Sequence, residues 1–141
     1  MKNLSNLFMA VMVAATLSVT GCDGDSGGGD GVEDSYMDVT AVEAKVLIDD
    51  NPELIIIDVS PLWEAGHLPG AVNYPVGDGS LDDAIPMLDS MAKYLVYCHG
   101  DEPSMLGAQT LVDAGFDKVY RLEGNYSAWV DAGYDVVTED M

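Results

Sequence analysis

Apolar positions in this chain fall into one long run and a series of short ones. Residues 4–19 are mostly apolar with small residues interspersed, residues 23–35 carry almost nothing apolar, and beyond them short apolar runs alternate with amphipathic stretches. Thr40-Ala41-Val42-Glu43 has the form of a capping box and predicts a helix running to Asp50, where Asn51-Pro52 stops it. Residues 54–59, rich in isoleucine, predict a strand covered on both faces. A short helix at 62–65, a turn at Gly66-His67-Leu68-Pro69-Gly70 and a second strand at 71–74 follow. Ser80 with Asp83 predicts a capped helix reaching Met91, which Pro86 shortens or kinks. Residues 94–97 form the third strand, 104–114 a helix closed by Gly115, 119–122 the fourth strand, and 126–131 the last helix, with Gly133 just beyond. Such alternation predicts an α/β domain with a mostly parallel sheet, helices on both faces, and ligands at the carboxyl ends of the strands.

The long apolar run has a different destiny. Lys2 precedes it and Val19-Thr20-Gly21-Cys22 closes it, the layout of a secretory leader too short for a permanent span. Its last four residues resemble a bacterial lipobox, so residues 1–21 are expected to be removed and Cys22 acylated; an ordinary leader cut nearby is the alternative. Acyl chains bury methylenes at about 0.8 kcal/mol each, and two signals give stable anchoring. Asp23 resembles a retention signal for the inner membrane, with the outer membrane as the alternative location on the exported side. Residues 22–35, Gly-rich and acidic, form a flexible spacer. Asp23, Asp25 and Asp30 do not have the spacing of an EF-hand loop. Residues 36–141 make one domain with one core.

Charge narrows the partners. The chain carries 25 Asp and Glu against 5 Lys and Arg, a net charge of −20, and loss of the leader also removes Lys2. This surface disfavours nucleic acid and close approach to anionic lipid, so the membrane is met through the lipid anchor only. A saline habitat would favour the same composition. Cysteine usage adds a redox constraint: with Cys22 acylated, Cys98 is the one remaining thiol and has no disulfide partner in the domain. Two histidines and one cysteine, scattered along the chain, offer no metal site, and no cofactor is expected.

Cys98 ends the apolar run Tyr94-Leu95-Val96-Tyr97 and precedes a loop and a helix. A thiolate there is favoured by backbone N–H groups and the helix dipole, which suits a nucleophile. Ile57-Asp58-Val59, Trp63-Glu64, the 66–73 segment Gly-His-Leu-Pro-Gly-Ala-Val-Asn, Tyr97-Cys98, Ala114-Gly115-Phe116, Val119-Tyr120, Leu122-Glu123-Gly124 and Ala128-Trp129 together resemble a single rhodanese domain over nearly all of residues 38–137. The resemblance implies a three-layer α/β/α fold on a five-stranded, mostly parallel sheet, with Cys98 as the sulfur-accepting nucleophile. The implied partners are a small sulfur-containing donor and a thiol acceptor or partner protein.

The loop reads His99-Gly100-Asp101-Glu102-Pro103, with Ser104 expected to cap the next helix. Its length resembles that of sulfurtransferases; a phosphatase of related architecture would have one more residue and a closing arginine. It departs from the family in carrying His99 and Pro103 where arginine or threonine is common, and Ser60 where many relatives have arginine. Asp101 and Glu102 are expected to repel an anionic donor, by roughly 3 kcal/mol per charge pair about 6 Å apart at an effective dielectric near 20, less with screening. His99 is either a cation supporting the thiolate or an exposed loop histidine. Asp58, Glu64 and His67 are candidates to hold the site from behind, with capping, surface and structural roles as alternatives; Tyr126 and Trp129 fit the core. Two functions follow: an envelope-anchored sulfurtransferase or persulfide carrier acting through Cys98, and a catalytically degenerate module for partner binding or redox sensing.

Overall fold

Tyr94–Tyr97, buried at every position, becomes the central strand of the sheet. The computed structural model describes residues 35–139; the expected leader, the acylated Cys22 and the spacer up to residue 34 lie outside the described residues. Five strands, β1 (Met37–Val39), β2 (Ile55–Asp58), β3 (Val72–Asn73), β4 (Tyr94–Tyr97) and β5 (Val119–Leu122), lie in the order β1-β5-β4-β2-β3. Every neighbouring pair is parallel, with Asp58 level with Tyr97 and Val96 level with Arg121. Parallel strands need crossovers, and four helices supply covers for both faces. Helices α1 (Ala41–Asp50) and α4 (Asn125–Asp131) pack on the face carrying Ile56, Leu95, Tyr97 and Leu122. Helices α2 (Ser80–Ala84) and α3 (Asp101–Asp113) cover the face carrying Ile57, Val59, Val96 and Cys98. Helices on both faces of a parallel sheet are what the alternation predicts, and the three-layer, five-stranded arrangement is the one the rhodanese resemblance implies.

Helix α1 opens on the expected capping box: Glu43 N–H donates to Thr40 Oγ1 at 3.2 Å, and Thr40 N–H donates to Glu43 Oε2 at 2.9 Å. Some of the expected elements are corrected. Strand β1 escapes the hydrophobic pattern because Met-Asp-Val is short, sits at the sheet edge beside β5 and leaves Met37 exposed. Helix α2 ends at Ala84 and tightens into a 3-10 turn at Ile85–Met87, because Pro86 cannot donate to a continuing α-helix. Its first turn is set by Asp78, whose Oδ1 accepts from Ser80 N–H at 2.9 Å, and Ser80 is not the cap. Hydrogen bonding from the Ser80 hydroxyl, and then from its N–H, holds the Asp78 carboxyl below its usual range.

Helix α3 begins at Asp101, three residues before the expected start. Pro103 falls in its first turn, where an absent N–H breaks no intrahelical bond. Ser104 is therefore not the cap. It is buried, and its hydroxyl donates to the Asp101 carbonyl at 2.9 Å. Gly107 lets α3 lie close on the end of β2, since a Cβ there would stand 2.9 Å from Val59 Cγ1.

Candidate active site

Alternation along β4 sends consecutive side chains to opposite faces. Tyr97 goes to the α1/α4 side and Cys98 to the α2/α3 side. On the first side the strand ends are tied together. The Tyr97 hydroxyl accepts from Leu68 N–H at 3.0 Å and donates to Asp58 Oδ2 at 3.2 Å. Asp58 Oδ1 accepts from Ser60 N–H at 2.8 Å, and Asn73 Nδ2 donates to the carbonyls of Asp58 and Ser60, each at 2.9 Å. Burial, helped by the Asp58 charge, pushes the Tyr97 phenol well up, so it remains a neutral donor.

On the second side Cys98 is buried, at 3% exposure, and its backbone is held at both polar atoms. Its N–H donates to Asn125 Oδ1 at 3.1 Å, and its carbonyl accepts from Tyr126 N–H at 3.1 Å. The sulfur makes no hydrogen bond with any described residue. Only His99 and Gly100 separate it from α3, a 13-residue helix whose first-turn N–H groups lack intrahelical partners and favour an anion. Pro103 removes one of those donors.

Behind this bracket stands Arg121, 6% exposed. Its Nε donates to Asp38 Oδ1 at 2.7 Å; its Nη1 donates to Asp101 Oδ1 at 3.2 Å and to Ser104 Oγ at 3.1 Å. The bonds to Asp38 raise its already high pKa. Asp101 Oδ1 also accepts from Asn125 Nδ2 at 2.7 Å. The Asp101 charge, expected to repel anions, is thus offset by a guanidinium, whereas Glu102 is exposed and makes no ion pair among the described residues.

His99 is only partly exposed. Its ring stacks on Tyr126, centroids 4.4 Å apart and 13° from parallel, and Nε2 donates to the Gly66 carbonyl at 3.3 Å. A carbonyl only accepts, so that nitrogen carries hydrogen. Gly66 is required here twice over: its φ of +143° suits glycine, and a Cβ would collide with the Tyr126 hydroxyl. His67 is buried, stacked on Trp63 at 3.4 Å, with Nδ1 donating to the Trp63 carbonyl at 3.2 Å. Glu64 is exposed and makes no hydrogen bond with a described residue, so the geometry does not bring it to Cys98.

The pattern of the sequence overlooks Arg121 and Asn125. Arg121 is the one arginine of the chain and interrupts an otherwise apolar strand, which is the available signal. Asn125 follows Gly124 and adopts φ +59°, a conformation that asparagine tolerates better than most residues. Beside the bracket, a groove of about 390 Å³ is lined by Val59, Pro61, Pro75, Val76 and Pro103, with Asp78 on its wall. Among the described residues no group of three His, Cys, Asp or Glu side chains stands close enough to hold a metal.

Compared with protein-family models, residues 40–132 match the rhodanese-like domain. The chain belongs to the rhodanese-like family. Thiosulfate sulfurtransferase GlpE of Pseudomonas fluorescens is 32% identical over 77 residues, which cover 53% of this chain and 69% of that protein. Thiosulfate sulfurtransferase GlpE of Shewanella oneidensis is 37% identical over 67 residues, 48% of this chain and 64% of that protein. Among solved structures, the Alr3790 protein from Anabaena sp. superposes with a TM-score of 0.65 and 28% identity, covering 71% of this chain and 81% of that one. The five-stranded rhodanese-like fold is thus shared, and Cys98 lies at its strand-to-helix junction.

Proposed function

We propose that this protein is an envelope-anchored sulfurtransferase that carries sulfane sulfur as a persulfide on Cys98. The observation that carries this reading is the placement of Cys98: a buried sulfur at the carboxyl end of β4, separated from α3 by two residues, with its own N–H and carbonyl fixed. The similarity to thiosulfate sulfurtransferases supports it. In the first half-reaction the Cys98 thiolate attacks the outer sulfur of a donor; a sulfur–sulfur bond forms and the bond to the donor breaks. With thiosulfate, sulfite leaves with the electron pair. In the second, an acceptor thiolate or cyanide takes the outer sulfur and the Cys98 thiolate is the leaving group. The attacking thiolate and the leaving thiolate of the two half-reactions are anions, and the first-turn N–H groups of α3 supply stabilisation for negative charge on that sulfur.

The preferred donor is neutral or cationic, or is the persulfide of a partner protein, because Glu102 and Asp78 flank the approach and the one nearby cation is already paired. Acylation of Cys22 and the acidic spacer provide anchor and reach on the exported side of the membrane. Incubation with donor followed by intact-mass measurement tests the chemistry: the parent gains about 32 Da and Cys98→Ser gains nothing, since a serine hydroxyl is scarcely ionised and cannot hold sulfane sulfur. Membrane fractionation of Cys22→Ala tests the anchor. The degenerate-module reading is favoured by the 3% exposure of Cys98, and a folded parent that gains no mass with thiosulfate, polysulfide or a protein persulfide establishes it instead.

A further inference from the structure

We infer that Asn125, oriented by Asp101 and Arg121, is the positioning residue that sets the geometry of the Cys98 bracket; the inference rests on reading Cys98 as the sulfur acceptor. One side chain ties the two ends of the His99-Gly100 connection: Oδ1 accepts from Cys98 N–H at 3.1 Å and Nδ2 donates to Asp101 Oδ1 at 2.7 Å. A carboxamide keeps the two functions on separate atoms, accepting from an N–H through its oxygen and donating to a carboxylate through its nitrogen. Its orientation is not free to flip, because Asp101 Oδ1 is an acceptor only and is fixed by Arg121 Nη1 at 3.2 Å. Arg121 is fixed in turn by Asp38 Oδ1 and Ser104 Oγ, and the Ser104 hydroxyl closes the circuit on the Asp101 carbonyl. Asn125, Arg121 and Ser104 are 3%, 6% and 0% exposed, whereas the Asp38 and Asp101 carboxylates they hold are 46% and 65% exposed, so the circuit is shielded from its inner side and reaches solvent at the two carboxylates.

The chain holds asparagine at a left-handed φ of +59° to make these bonds, directly after Gly124 at φ +81°. Glycine would fit that backbone with less strain, so the amide is retained for what it joins. Asp101 is accordingly a structural acceptor as much as a surface charge. The first turn of α3 keeps its position relative to Cys98 only while Cys98 and Asp101 keep their spacing, and loosening the bracket slows sulfur transfer from every donor, whatever its charge.

A swap experiment separates this role from general stability. Asn125→Gly removes the amide while suiting the backbone; Asn125→Asp keeps an acceptor for Cys98 N–H but sets a carboxylate against Asp101. The double substitution Asp101→Asn/Asn125→Asp exchanges carboxylate and amide and again pairs a donor with an acceptor. Two readouts are taken on full-length protein labelled with 15N-cysteine: hydrogen exchange at the Cys98 amide, and the rate of persulfide formation by mass. Each single Asn125 variant is expected to speed Cys98 exchange and slow persulfide formation by roughly tenfold, and the swap to bring both within about threefold of the parent. Unchanged Cys98 exchange in Asn125→Gly, or a double variant no better than Asn125→Asp, overturns the inference. If the exchange pattern appears while the parent itself gains no sulfur, the sulfurtransferase reading fails and the positioning role stands.

Discussion

The two ends of the sheet treat cations in opposite ways. At the amino ends, Lys93 and Lys118 stand just before β4 and β5 and reach across the surface, Lys93 Nζ to Asn51 Oδ1 at 2.6 Å and Lys118 Nζ to the Met91 carbonyl at 3.1 Å. Neither is in an ion pair with a described residue, so both present positive charge to solvent. At the carboxyl ends, where Cys98 lies, the one cation among the described residues is Arg121, buried and bonded to two carboxylates. Glu64, Asp78, Glu102 and Glu123 surround that end unpaired by cations. The cation nearest the site therefore works as a strut, and the field met by an incoming donor is that of the carboxylates.

Removing the strut breaks the contrast most severely. Arg121→Met is expected to lower persulfide formation roughly tenfold with thiosulfate and with uncharged donors alike, and to lower the unfolding free energy by about 2 kcal/mol, read by denaturant titration. A defect confined to thiosulfate would mean that the guanidinium acts on the donor's charge instead. Sharpening the contrast from the other side, combined Asp78→Asn and Glu102→Gln should raise the thiosulfate rate about threefold at low salt and flatten its salt dependence, while leaving an uncharged donor alone. Stopped-flow kinetics across a salt series would reveal an unaltered dependence if the rim carboxylates did not matter. Lys93→Gln with Lys118→Gln, at the far end, should leave all donor rates within twofold and stability within about 0.5 kcal/mol.

A variant of stability alone tests that α1 is only scaffold. Thr40→Ala removes the capping box and should cost about 1 kcal/mol by thermal or denaturant unfolding, without changing the persulfidation rate. The box also carries a pH signature. Hydrogen bonds from Thr40 hold the Glu43 carboxyl below its ordinary 4.5, so the folded state gains stability above that pH and loses it as the pH falls below. Glu43→Gln, which has no carboxyl to titrate there, should show a shallower loss over that acidic range, and equal slopes would contradict the linkage.

Much of this was legible in the residues because two signals agreed. Isoleucine-rich and aromatic runs marked β2 and β4, and Gly or Pro punctuation marked the helix ends that frame them. Strand β1 left no trace because an exposed edge strand of three residues needs no apolar face. The start of α3 differs because residues 99–103 resemble a sulfurtransferase loop capped by Ser104, whereas the helix takes in Asp101, Glu102 and Pro103 as its first turn, where Pro103 breaks no bond. Cys98 was legible from its position, but the partners that hold it were not. Asn125 and Arg121 lie 27 and 23 residues further along the chain; only β5 pairing beside β4 brings Arg121 level with Val96, and α4 returns Asn125 to the Cys98 amide.

The central claim is that sulfane sulfur resides on Cys98. Peptide mapping by mass spectrometry after donor exposure, with a persulfide-bearing protein and thiosulfate in parallel, tests it most directly. The account predicts an added mass of about 32 Da on the Cys98 peptide, faster with the protein persulfide, absent in Cys98→Ser and lost on adding cyanide. Sulfur found on Cys22 alone, or on neither cysteine of the folded protein, would contradict it.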